Sequence, residues 1–186
     1  MDDEYWYPLY EEMVKLDVPA LIHSAASKDP RESYSAHFIT VESQVVLNLT
    51  KPESTVFKDF PKLRIIVSHG GGSVPYQIGR WRAARFNRMK ADSSLEDFDT
   101  SLKRLWFDTV LYNKESLDLL FQLVGSDRCM FGTENPGSGS ATDPATEKQM
   151  DDTAPVINSI DWLTAKDKKN IFEDVQKTVF PRLKVK

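Results

Sequence analysis

"RIIVSHGGGSVPYQIGRWR", residues 64–82, sets a histidine at the end of a β-branched run and three glycines directly after it. The run Leu63–His69 reads as a short buried strand, because its apolar residues follow one another without the polar alternation of a half-exposed sheet. From Val74 to about Lys90 the spacing of Ile78, Trp81, Ala84 and Phe86 predicts a helix, so the glycines occupy a strand-to-helix turn. That unit is the building block of a parallel sheet, and it recurs on both sides of this stretch.

Upstream, "EYWYPLYEEMVKLD" (4–17) places Trp6, Leu9, Tyr10, Met13, Val14 and Leu16 at helical spacing, with Pro8 near the start where it is tolerated. "VPALIH" (18–23) reads as a buried strand, residues 24–37 as a polar loop, and about Thr40 to Phe57 as a helix weakened by β-branched residues. Downstream, "RLWFDTV" (104–110) and "RCMFGT" (128–133) read as the third and fourth strands. Between them lies a helix, "KESLDLLFQLVG", that Gly125 ends. Two further helices are expected at 145–160 and 164–179, the second opening on Thr164 with Asp167 three residues on. No repeat or linker divides the chain, so one domain of residues 1–186 is expected.

The bulk numbers agree. With 186 residues, 40% hydrophobic and 28% charged, the chain has material for a sizeable core. A net charge of −4 with scattered Lys and Arg provides no basic face, which argues against nucleic acid as a partner. The opening "MDDEYWYPLY" is acidic where a signal peptide needs a positive segment, and no window approaches the roughly 20 apolar residues of a membrane span. A cytoplasmic protein without membrane contact is therefore expected. The lone Cys129 excludes an internal disulfide and a thiolate zinc cluster, and reads as a buried apolar residue.

In a parallel sheet the working groups gather at strand C-termini. Here "VPALIH" ends in His23, "RIIVSH" ends in His69, and "MFGTE" delivers Glu134 just past the fourth strand. Singly, each histidine reads best as a hydrogen-bonded core residue. Together with a strand-end glutamate they point to a metal or proton-transfer site, with His37 as a further candidate ligand. The glycines, Gly70 and Gly71 among them, suit either a bound anion or a sharp turn. Gly70, Gly71, Tyr76 and Arg80 are the substrate-binding candidates, with Arg82 as an alternative cation for a carboxylate. Asp108 and Tyr112 near the third strand suit either a ligand-orienting role or a turn cap, and "GTENPGSGSA" (132–141) suits a mobile loop over the site.

"FPKLRIIVSHGGGSVPYQIGRWR", "FDTVLYNKESLDLL" and "RCMFGTENPGSG" together resemble the amidohydrolase-related family of metal-dependent enzymes, which includes aminocarboxymuconate-semialdehyde decarboxylase and 4-oxalomesaconate hydratase. The resemblance runs over nearly the whole chain. It implies an α/β fold: about the C-terminal half of a TIM-type (β/α) barrel, with extra C-terminal helices. It also implies that His23 and Glu134 are metal ligands on the fifth and last barrel strands, and that His69 is the catalytic histidine on the sixth. The implied cofactor is a divalent metal, zinc first and manganese second. The implied substrate is a small unsaturated or aromatic carboxylic acid, hydrated or decarboxylated. Glutamate in "FGTE", where the decarboxylases usually carry aspartate, points to the hydratase branch.

The chain departs from the family in lacking the H-x-H pair that opens its barrel, for its three histidines stand apart. Four strands are also half of the eight in a full barrel. A half barrel exposes two sheet edges, so a homo-oligomer, or a second chain supplying the N-terminal half, is expected. Tyr5, Trp6 and Tyr7 form an aromatic cluster suited to such a contact. The competing expectation is a catalytically incomplete fragment that serves as a binding or assembly subunit.

Overall fold

Short apolar runs pair side by side when each is followed by a helix long enough to return the chain to the same end of the sheet. In the computed structural model, which describes residues 1–24 and 37–183 (the backbone alone for His37 and Phe38), four such runs form a parallel sheet in the order β1-β2-β3-β4. The strands are β1 (Ala20–Ile22), β2 (Ile65–Val67), β3 (Trp106–Asp108) and β4 (Cys129–Met130). Ile22 lies opposite Val67, Val67 opposite Phe107, and Asp108 opposite Met130. Each strand is shorter than its apolar run, because the last residues of the run have already left the ladder and turned into the loops above it.

The helices are α1 (Tyr7–Leu16), α2 (His37–Thr50), α3 (Val56–Asp59), α4 (Val74–Met89), α5 (Phe98–Leu102), α6 (Lys114–Val124), α7 (Ala154–Asn158), α8 (Ala165–Lys169) and α9 (Val175–Val179). One helix was expected from Thr40 to Phe57, but α2 stops at Thr50. Pro52 has no N–H to give the turn before it, and the Thr50 carbonyl is taken by the buried Arg85 guanidinium. Helix α5 carries no strong apolar period and is set by its cap, Asp97 accepting from the Thr100 N–H at 2.8 Å. The helix expected over 145–160 is reduced to α7. Ahead of it Asp143 accepts from the Ala145 N–H and the Thr146 hydroxyl, and Thr142 bridges Gln149, so that segment is built of turns. The helical run from Thr164 is present, opened by a reciprocal Thr164–Asp167 capping box, with a π-helical stretch (Asn170–Asp174) between α8 and α9.

Two cores flank the sheet. On the outer face Ile65, Val67, Phe107 and Cys129 pack under helices α2, α4 and α6. On the inner face Ile66 and Met130 pack against Val175 and Val179 of α9, with Trp106 alongside. Leu21, on the inner side of edge strand β1, is 55% exposed. Among the described residues, β1 and β4 each have one strand neighbour. No helix there is long and apolar enough to cross a membrane.

The glycines after His69 are explained by packing. Gly70 and Gly71 have φ of +60° and +85°. A Cβ would stand 2.7 Å from a Leu111 methyl at Gly70 and 2.9 Å from the Phe107 ring at Gly71. Gly79, inside α4, has nothing within 4 Å of its added Cβ. Gly71→Ala is therefore expected to cost about 2–4 kcal/mol through overpacking and left-handed strain. Gly79→Ala should gain about 0.5–1 kcal/mol from helix propensity. Thermal unfolding of the two variants checks the opposite signs.

Candidate active site

The register sets the ends of the four strands at one edge, and the side chains that leave the ladder there converge. His23 follows β1, His69 stands two residues beyond β2, Asp108 ends β3, and Glu134 lies four residues past β4. His23 Nε2 is 3.5 Å and His69 Nε2 3.6 Å from the same oxygen, Glu134 Oε1. The two imidazole centroids are 4.9 Å apart at 61°. These residues open onto a cavity of about 310 Å³ whose apolar wall includes Ile66, Met130 and Phe180.

Each group is held from behind. His23 Nδ1–H donates to the Ser24 carbonyl at 2.7 Å, and His69 Nδ1–H to Glu42 Oε1 at 3.1 Å. The other Glu134 oxygen accepts the Tyr112 hydroxyl at 2.6 Å and that of Ser138 at 3.3 Å. Burial would raise the Glu134 carboxyl, but the Tyr112 hydrogen bond and His69 outweigh it and leave the pKa lowered. Tyr112 is pushed up to about 12 by burial and by the bond to Glu134, so its hydroxyl stays a donor. Asp108 is pushed up to about 6, chiefly by burial; the Val110 N–H, His69 and the Gly70 N–H pull the other way.

The backbone marks the same place. Of the five non-glycine residues at positive φ among the described residues, three are His69 (52°), Tyr112 (56°) and Glu134 (59°). A side chain in the left-handed region is strained, and such residues cluster where the surroundings hold a working geometry.

This donor set fits a divalent cation. His23, His69 and Glu134 each offer one ligand atom, and the three atoms lie within 4.8 Å of one another. Two imidazole nitrogens and a carboxylate oxygen, the rings oriented by carbonyl and carboxylate acceptors, are the chemistry zinc and its neighbours select.

Other candidates fall elsewhere. Val74, Ile78 and Arg85 are the buried positions of α4, which turns Tyr76 (81% exposed) and Arg80 to the opposite face. There they line a shallow surface depression with Gln77 and Ala83. The expectation that Tyr76 and Arg80 meet substrate at this cavity is corrected by that helical phase. Arg82 forks onto Asp99 at 2.7–3.1 Å. Gly70 and Gly71 adjoin the site as packing glycines. His37 opens α2, and its side chain lies outside the described residues. The loop expected over the site is tied down, Asn135 and Ser140 both donating to Asp151.

Two residues of the site went unread. Glu42 is fully buried on α2, and its one signal is an acid inside the apolar "FITVESQVVLNL". Gln176 lines the cavity from α9, just past the π-helical stretch.

The raised Asp108 pKa fixes a sign. Its folded value of about 6 lies above the ordinary value of 3.8, so the folded state binds the extra proton. Stability is therefore expected to fall as pH rises from about 4 to 6, by on the order of 1–3 kcal/mol. Asp108→Asn keeps an acceptor for the Gly70 and Val110 N–H groups. It should flatten that dependence and leave the melting temperature at pH 7.5 equal or higher.

Comparison with known proteins identifies the family. The Amidohydrolase family model matches residues 1–174. The 2-keto-4-carboxy-3-hexenedioate hydratase of Sphingobium sp. (strain NBRC 103272 / SYK-6) is 36% identical over 188 aligned residues, taking in all of this chain and 53% of that protein. The crystal structure of 4-oxalomesaconate hydratase from Rhodopseudomonas palustris superposes with a TM-score of 0.83 at 33% identity, over 98% of this chain and 51% of that one. A 5-carboxyvanillate decarboxylase from Novosphingobium aromaticivorans, solved with manganese bound, shares the fold with a TM-score of 0.72 at 19% identity, over 97% and 53%. The chain thus spans about half the length of the relatives it matches, and its parallel sheet is part of their barrel. On the family match and the hydratase identity together, this chain belongs to the amidohydrolase family.

Proposed function

We propose that the chain carries the C-terminal half of a divalent-metal site that adds water to a small unsaturated carboxylic acid. One observation carries this reading: two imidazole Nε2 atoms, from His23 and His69, face a single oxygen of Glu134. Support for hydration over decarboxylation comes from glutamate at position 134 and from two hydratases that match all or nearly all of this chain at 36% and 33% identity.

His23 Nε2 and Glu134 Oε1 would hold the cation, zinc or manganese. When bound, it lowers the pKa of a water and polarises a substrate oxygen. Tyr112 keeps Glu134 aimed by donating to its other oxygen. His69, protonated at Nδ1 toward Glu42, presents Nε2 to the cavity, where it accepts a proton from one reacting group and returns it to another. Ile66, Met130 and Phe180 limit the water around the reacting carbons. Among the described residues β1 and β4 each have one strand neighbour, and with the exposed Leu21 this supports further strands that complete the barrel, from a longer chain, a second copy or a second chain.

Elemental analysis of a defined size-exclusion peak tests the reading. About one zinc or manganese per chain is expected, with His23→Ala lowering metal affinity at least tenfold. His69→Asn should keep the metal and the melting temperature. Its turnover of an unsaturated tricarboxylic acid, followed by loss of the conjugated absorbance, should fall on the order of 10²–10⁴-fold. A peak that stays empty after zinc is added overturns it in favour of a binding or assembly subunit.

A further inference from the structure

Glu42 is a carboxylate with no exposed surface, on a helix otherwise packed by Val45, Val46 and Leu49. Burying such a group is costly unless both oxygens are satisfied. Here one oxygen does all the work. Oε1 accepts from His69 Nδ1–H at 3.1 Å and from the Ser24 N–H at 3.4 Å, while Oε2 is buried and accepts no hydrogen bond. Among the described residues no Lys or Arg pairs with it, so its partners are the two loops that carry the site's imidazoles.

The two contacts have different consequences. With Glu42 Oε1 as the acceptor, the His69 ring facing it carries a proton at Nδ1 and leaves Nε2 turned toward Glu134. The left-handed backbone of His69, φ 52°, turns the ring to this position. The second contact holds Ser24, whose carbonyl in turn takes His23 Nδ1–H at 2.7 Å. A single oxygen thus sets the tautomer of one imidazole directly and the aim of the other through one peptide.

We infer that Glu42 is a positioning residue that fixes His69 as the Nδ1–H tautomer and, through Ser24, steers His23 Nε2 toward Glu134. This deepens the proposed function and rests on it for the claim that the two imidazoles are working groups. A carboxylate that merely pinned α2 to the sheet would be replaceable by an apolar side chain of similar volume, with no change in the rings.

The test is long-range ¹H–¹⁵N NMR of the imidazole nitrogens in the metal-free chain, tractable with three histidines and assigned with His23→Asn and His69→Asn. The wild-type protein is expected to show His69 as a single Nδ1–H tautomer. Glu42→Gln, which keeps an acceptor oxygen, should retain that pattern. Glu42→Met, which keeps the volume and removes the acceptor, should give mixed tautomers and weaken Zn²⁺ binding at least tenfold in chelator competition, with a melting temperature equal or higher. Three results overturn the inference: an Nε2–H tautomer in the wild type, unchanged ring signals in Glu42→Met, or a zinc loss that follows a fall in melting temperature. The wild-type spectrum decides even where Glu42→Met does not fold. A wild-type chain that binds no zinc yet shows the Nδ1–H tautomer defeats the proposed function and leaves the Glu42 assignment of His69 standing.

Discussion

Parallel pairing in fixed register is the constraint on which the rest of the molecule depends. Because β1, β2, β3 and β4 run the same way with Ile22 beside Val67 and Phe107 beside Cys129, every strand ends at one edge. The first residues past that edge are then neighbours whatever their distance in sequence, and His23, His69 and Glu134 meet across more than a hundred residues of chain. Shifting one strand by a single residue would turn its inner side chains outward and disperse the site.

The site is a balance between burial and satisfaction. Three residues stand in left-handed backbone, one carboxyl is raised by burial, and a buried glutamate oxygen accepts no hydrogen bond. Each departs from local preference, and all gather at one edge of the sheet. The outer core of α2, α4 and α6 carries that cost: its aliphatic side chains fix the helices, and Gly70 and Gly71 let the backbone pass Leu111 and Phe107 closely enough to set His69 at its angle.

The histidines and Glu134 were legible because strand ends can be read from where apolar runs stop, and the family resemblance added roles to residues that position had already singled out. The helix of α4 was legible too, and its phase sets Tyr76 and Arg80, two and six residues beyond the buried Val74, on the face turned from the sheet. Glu42 was hidden because an acid on a helix reads as a solvated side chain until the burial of its face is known. The left-handed turns at His69 and Tyr112 leave no mark in residue type. The turns of 142–152 carry helix-forming residues, and only the hydrogen bonds of Asp143 show that the backbone goes another way.

The central claim, that His23 and Glu134 converge at one site to hold a metal beside His69, is met most directly by zinc K-edge X-ray absorption on the zinc-loaded chain. The account predicts imidazole scattering together with a short carboxylate oxygen shell, the imidazole part reduced in His23→Ala and the oxygen shell altered in Glu134→Gln. A zinc environment of oxygen alone, unchanged by either substitution, would contradict it.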